Sequence, residues 1–269
     1  TPPQKDGSIH PAILYVSKLL GISKVFRVGG VQAIASMAYG TKTVPRVYKI
    51  FGPGNQWVTQ AKKLIQQEGI PIDMPAGPSE LAIYADDTAI PDYVAADLLS
   101  QCEHGNDSQV ILVTESRAFA EKVNLAIDTQ MKKLPRKSIA EKSLGNSKII
   151  LLNNHAESMD LLNMYAPEHL ILACRDAEKR ADEVQNAGSV FLGNYASESA
   201  GDYATGTNHI LPTNGFAKSY SGVSMDSFVK KISFQKLTKE GLQSIGSTVV
   251  EMARAEGLQA HAEAILIRL

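Results

Sequence analysis

The sequence predicts an α/β protein: two Rossmann-like parallel-sheet units with helices on their faces, followed by a small helical C-terminal tail. Three observations predict it. Short runs rich in Val, Ile and Leu alternate with stretches of helical periodicity, the pattern of parallel strands joined by crossover helices. Gly- and Pro-containing turns follow several of the strand-like runs, where the chain must turn into a helix. After residue 193 the alternation stops, and two helical stretches close the chain.

Taken in order, residues 10–20 carry apolar positions at helical spacing, and Gly21 follows as a cap. Residues 24–28 (Lys-Val-Phe-Arg-Val) read as a strand, and Gly29-Gly30 turns into a helix over 31–39. A second strand, 47–51, is closed by Gly52-Pro53-Gly54-Asn55 before a helix over 56–67. The Pro- and Gly-rich stretch 71–78 marks a boundary. Strands are then expected at 81–85, 110–113, 148–152, 170–173 and 189–192, with helices at 91–104, 116–133, 155–164 and 176–186. Residues 193–233 are rich in Gly, Ser, Thr, Asn and Tyr and follow neither period; a long irregular stretch of this kind is more often functional than a linker. Helices over 237–255 and 257–268 end the chain. The expected division is one α/β domain at 1–76, a second at 77–222 and a helical tail at 223–269.

The 269 residues suffice for one large domain or two modest ones. Hydrophobic residues make up 44% and charged residues 20%, the composition of an ordinary globular protein. A formal net charge of −1 without a basic stripe argues against nucleic acid as a partner. No apolar run approaches the roughly 20 residues that cross a bilayer. The chain starts Thr1-Pro2-Pro3 without a signal-like segment or initiator Met, so its start reads as a processed end or the edge of a longer protein. Cys102 and Cys174 are the only cysteines and lack metal or redox spacing, which fits a reducing compartment: the cytoplasm, or the plastid stroma in a plant.

Six histidines invite individual inspection. His10 and His155 sit near helix starts and read as surface or capping residues. Gln101 and His104 close a predicted helix three residues apart, on one face; a metal pair is one reading, and a His favoured by the helix dipole is the other. Glu168 and His169 enter a strand behind Pro167, where a carboxylate beside an imidazole suits acid–base work, although strand neighbours point to opposite faces and one could simply be solvated. Asp202 and His209 lie in the irregular stretch, as an oxygen and a nitrogen donor or as parts of an Asp-stabilised turn. His261 shares a helix face with Leu258 and Ile265, the usual setting of a core histidine, and Glu256 reads as a surface charge beside Gly257. No Gly-x-Gly-x-x-Gly motif occurs; Gly29-Gly30 and Gly52-x-Gly54 are the two turns that could admit a phosphate at a helix N-terminus.

Six segments, in this order, resemble histidinol dehydrogenases: Phe51–Asn55, Pro75–Glu80, Asp97–Gln109, Tyr165–Leu170, Gly201–His209 and Glu256–His261. Each is modest alone, and together they are specific. The resemblance implies NAD-dependent oxidation of L-histidinol to L-histidine through the aldehyde. It implies a zinc site made by Gln101, His104, Asp202 and His261, an open donor set that suits a catalytic metal. It implies His169 as the base for the alcohol and Glu168 as the group that activates water on the aldehyde. It further implies that Ser79, Gln101, His104, His169, Asp202, His209, Glu256 and His261 hold substrate and that Gln32 and Asn55 contact NAD. The family works as a homodimer in which Glu256 and His261 reach the partner subunit's site. Its members are longer at the N-terminus, so the alternative is a folded but inactive fragment that binds zinc or substrate without turnover. A zinc hydrolase of similar build is a third reading, against which the combined motifs argue.

Overall fold

The computed structural model describes residues 1–75 and 77–269; Ala76, inside the Pro75–Glu80 segment and at the expected 76/77 boundary, lies outside the described residues. Two compact units result, Thr1–Ser227 and Phe228–Leu269.

The first unit is built on a five-stranded, all-parallel sheet: β1 (Glu80–Ala85), β2 (Gln109–Thr114), β3 (Lys148–Leu151), β4 (His169–Ala173) and β5 (Ser189–Leu192), in the order β3-β2-β1-β4-β5. Strands β1 and β4 are buried along their whole length, as continuous apolar runs between two helical layers should be. Alternation splits β1 between two cores. Leu81, Ile83 and Ala85 pack with α4 (Pro91–Cys102) and α5 (Arg117–Met131). Ala82 and Tyr84 face Met159 and Leu162 of α7 (His155–Tyr165) and Ala177 of α8 (Ala177–Ala181). Local chemistry sets the helix starts: Pro91 opens α4, and the side chains of Ser116 and Asn154 accept from the backbone N–H of Phe119 and Glu157.

Two further helices were not anticipated, α6 (Lys137–Gly145) and α9 (Glu198–Tyr203), the second inside the stretch read as irregular.

Ahead of the sheet lie three helices, α1 (Pro11–Leu19), α2 (Gly30–Tyr39) and α3 (Gln56–Gln67). Helices α2 and α3 bury a small core of their own, including Ile34, Ala38, Ile50, Val58, Ile65 and Ile72. His10 caps α1, its Nδ1 accepting from Ala12 N–H at 3.2 Å. The strands expected at 24–28 and 47–51 do not form ladders among the described residues. Only Ile50 pairs, as an isolated parallel bridge with Ile72. The composition there suits a strand, but a strand exists only where a neighbour takes its N–H and C=O groups. Ile50 finds Pro71 and Asp73 for this, over a single residue pair.

The second unit holds α10 (Lys239–Ala255), capped by the Thr238 hydroxyl, and α11 (Gln259–Leu266). Val250, Ala253 and Ala262 form its core, with Ile265 against them.

Candidate functional site

The chemistry-bearing residues of the first unit gather at the amino ends of β1 and β4, the two central strands. Glu80 opens β1 and His169 opens β4, with Leu81 in register with His169. Open α/β sheets more often use the carboxyl ends of their strands. Here helices α4 and α9 bring their own polar faces to the opposite end.

Glu168 and His169 both hold the backbone of Glu80. Its N–H donates to Glu168 Oε2 at 2.9 Å, and its carbonyl lies 3.2 Å from His169 Nδ1. A carbonyl can only accept, so Nδ1 carries the proton and Nε2 the lone pair. Among the described residues that buried Nε2 has no hydrogen-bond partner; it lies 3.8 Å from Asp202 Oδ1. Neither residue is solvated, although strand geometry allowed it for one: Glu168 is 6% exposed and His169 4%. Burial lowers the His169 pKa, partly offset by the Glu80 carbonyl. Burial raises the Glu168 carboxyl to about 8, and the neighbouring Glu80, Glu198 and Asp202 push the same way against the hydrogen bond from Glu80 N–H.

Helix α4 contributes Gln101, fully buried, and His104, exposed just past the helix end. Helix α9 contributes Asp202 and, one turn earlier, Glu198, which is 1% exposed. This helix can lie close to β5 because position 201 is glycine: a Cβ there would sit 2.5 Å from the Phe191 ring. Donor and acceptor matching orients the Gln101 amide with its nitrogen on the Glu198 carboxylate, at 2.6 and 3.0 Å, and its oxygen on Glu80 N–H at 3.0 Å. His104, Glu198 and Asp202 each offer a ligand atom, all within 4.8 Å of one another.

Glu198 is the residue that sequence reasoning missed. Its carboxyl is raised to about 8 by burial first, then by Asp202 and Asp97. Asp97, one turn before Gln101 on α4, is itself raised to about 6 by burial. A set of buried carboxylates pushed upward together is short of positive charge, and one divalent cation among them would reverse those shifts. The donor set therefore fits a metal. The four-residue spacing of Glu198 and Asp202 is the signal that could have found it.

Two cavities adjoin this corner. One of about 630 Å³ runs from Ser79 and His104 to Gly54, Asn55 and Gln56 at the start of α3, joining the metal corner to an expected NAD contact. The other, about 160 Å³, is lined by Ser79, Glu168 and His209 together with Gly52, Lys62 and Asp73. Asn55 caps α3, its side chain accepting from Trp57 and Val58 N–H. Gln32 is exposed in the first turn of α2, its Oε1 near Gly30. Glu256 and His261 belong to the second unit, at the end of α10 and on α11, and both are exposed.

The histidinol dehydrogenase family model matches residues 1–269. The histidinol dehydrogenase of Bacteroides fragilis is 56% identical over 269 residues, covering all of this chain and 63% of that protein. That of Bacteroides thetaiotaomicron is 57% identical with the same coverage. The crystal structure of histidinol dehydrogenase from Elizabethkingia anophelis superposes with a TM-score of 0.97 at 54% identity, over 100% of this chain and 62% of that one. The chain thus spans somewhat under two thirds of the length of these relatives.

Proposed function

This chain belongs to the histidinol dehydrogenase family, and from that premise we propose that it carries the catalytic core of an enzyme that oxidises L-histidinol to L-histidine through the aldehyde, using zinc and two NAD. The carrying observation is the convergence of Gln101, His104, Glu168, His169 and Asp202 at one end of the sheet, beside a cavity that reaches Asn55. Residues 1–76 would then serve the cofactor, 77–222 the chemistry and 223–269 the partner subunit.

Gln101, His104 and Asp202, joined by the partner subunit's His261, would hold zinc, which supplies a fixed positive point for the imidazole and amine of the substrate. Asn55 and Gln32, each in the first turn or cap of a helix, would hold NAD, the hydride acceptor. In the first oxidation His169 Nε2 takes the hydroxyl proton while the carbinol carbon gives up hydride. In the second, the Glu168 carboxylate takes a proton from water as its oxygen adds to the aldehyde carbon, and the resulting hydrate gives up hydride to leave the acid. Ser79 and His209, which share the smaller cavity with Glu168, would position the substrate.

The relatives named above are bacterial, so the plastid alternative finds no support among them. Among the described residues no helix is long and apolar enough to cross a membrane. The inactive-fragment reading likewise gains nothing from the geometry, which keeps both acid–base residues and three of the four expected zinc ligands together.

The test is NADH formation from L-histidinol with zinc supplied and with zinc chelated. Turnover that is lost with the chelator and restored by zinc is the expected result; no turnover under either condition contradicts catalysis by this chain.

Sharing of the site between subunits has its own signature. Glu168→Gln and His261→Asn proteins are each expected to be nearly inactive. Unfolded together and refolded in equal amounts, half the dimers are mixed, and each has one site with neither defect. Recovery of about a quarter of the unsubstituted activity is expected. No recovery would place all four zinc ligands on one subunit.

A further inference from the structure

A buried ion pair outside the catalytic corner has no part in the chemistry above. Lys62, on the second turn of α3, is 4% exposed and pairs with Asp73, whose side chain is 1% exposed. The two partners hold the peptide units on either side of Gly52. Lys62 Nζ donates to the carbonyl of Gly52 at 2.9 Å, and Asp73 Oδ2 accepts from the N–H of Gly52 at 2.8 Å. The other Asp73 oxygen takes Met74 N–H at 2.7 Å and the Lys62 ammonium. Asp73 is delivered there by the single parallel bridge of this region, its own N–H donating to Ile50 at 3.0 Å. Lys62 reaches Gly52 because helical side chains lean toward the N-terminus of their helix.

Gly52 opens the turn Gly52-Pro53-Gly54-Asn55. It stands at φ 142°, a conformation that L side chains rarely adopt, with nothing within 4 Å of the place a Cβ would take. Its hydrogen bonds to Asp73 and Lys62 hold it in that conformation. At the far end Asn55 is pinned as the cap of α3, and Gly54 lies against Val58 so closely that a Cβ would sit 2.5 Å away. The turn is tied at both ends, and its first tie is made entirely by Lys62 and Asp73. Charges withdrawn from water stabilise a fold poorly, and apolar replacements often do as well. What an ion pair adds is direction: two charged groups fix both the donor and the acceptor of one residue, and with them the two peptide planes that set its φ and ψ. The pair also lines the small cavity shared with Ser79, Glu168 and His209, so it links the turn to the catalytic end.

We propose that Lys62 and Asp73 are positioning residues for the cofactor: their ion pair clamps the backbone on both sides of Gly52 and so sets the turn that presents Asn55 to NAD. This rests on the reading of Asn55 as an NAD contact. The test is NAD binding by calorimetry in Lys62→Met/Asp73→Asn, which keeps side-chain volume and leaves no buried charge. NAD affinity is expected to fall on the order of tenfold, as for a binding group moved out of place, with zinc content and L-histidinol affinity unchanged. Equal NAD affinity in a folded double variant overturns the clamp. If the double variant does not fold, Lys62→Met alone decides by the same measurement, because Asp73 keeps two backbone donors; there a loss of about threefold is expected, and none overturns the proposal. Trp57, the only tryptophan, lies two residues beyond Asn55 and is exposed, so its emission separates the two readings. If NAD binds the unsubstituted protein without changing that emission, the cofactor reading fails; if NAD quenches it and the variants bind equally well, the clamp alone fails.

Discussion

His169→Asn is expected to lower kcat for oxidation of L-histidinol by about 10²–10⁴-fold, the range for a positioned general base, with zinc content and NAD affinity unchanged. The imidazole is held for this task by a single interaction that fixes its tautomer. Nδ1–H points at the Glu80 carbonyl, which leaves the Nε2 lone pair facing the buried corner with no protein donor to occupy it. An asparagine amide can still donate to that carbonyl, but it puts no basic nitrogen where Nε2 was. The packing around Phe191 should survive, so a loss confined to kcat separates lost chemistry from lost fold. Steady-state rates with the alcohol and with the aldehyde, measured separately, make the comparison. A variant that oxidises the alcohol normally would end the assignment.

The same environment fixes a pH limb. Burial lowers the His169 pKa below its ordinary value of 6.5, so the neutral, base-competent ring prevails at neutral pH. Activity that depends on the neutral ring is present above the depressed value and is lost as pH falls through it. In kcat/KM against pH the acid limb should therefore lie below 6.5, and His169→Asn should remove it.

Much of this corner could be read before the fold was known, for an identifiable reason. The five strands of the sheet announce themselves as short runs rich in Val, Ile and Leu, and the three central ones, buried on both faces, have no other sequence solution. Gln101 lies on α4 and His104 just past its end, so their closeness follows from a spacing of three residues. The pairs that failed were those needing a partner to exist. Residues 24–28 and 47–51 have strand composition, but pairing is a property of two segments, and one segment cannot reveal that its neighbour is a single bridge at Ile72. Glu198 was hidden differently. Helix α9 is six residues long, too short for a periodicity to emerge, and glycine occupies one of them. That glycine gives no helical signal, yet it is what lets α9 lie against Phe191 and turn Glu198 and Asp202 inward. The clamp at Gly52 was similarly invisible, because Lys62 and Asp73 look like two ordinary charges until the bridge at Ile50 brings them to one residue.

Glu198 is where geometry departs furthest from the ligand set that the motifs imply, and its replacement should show this in metal binding. Glu198→Gln is expected to weaken zinc affinity by about 10–100-fold, the usual cost of losing a group that orients a ligand. Two features argue for it. Its oxygens lie 2.6 and 3.0 Å from the Gln101 amide nitrogen, and a cation taken between the two side chains would turn the amide oxygen, its ligand atom, toward the corner instead. One of the Glu198 oxygens also lies within 4.8 Å of the donor atoms of His104 and Asp202, close enough for one cation to reach all three. The substitution keeps the volume of a side chain that is 1% exposed and removes only the charge, so thermal unfolding of the metal-free protein should change little or improve as a buried carboxylate is neutralised. Zinc affinity is read by competition with a chromophoric chelator, and the spectrum of the cobalt-substituted protein reports ligand geometry independently of turnover. Glu198→Asp, which keeps the charge but withdraws it by one methylene, should fall between. Zinc affinity and a cobalt spectrum unaltered in Glu198→Gln would leave this carboxylate a packing residue and return the site to Gln101, His104 and Asp202 alone within this chain.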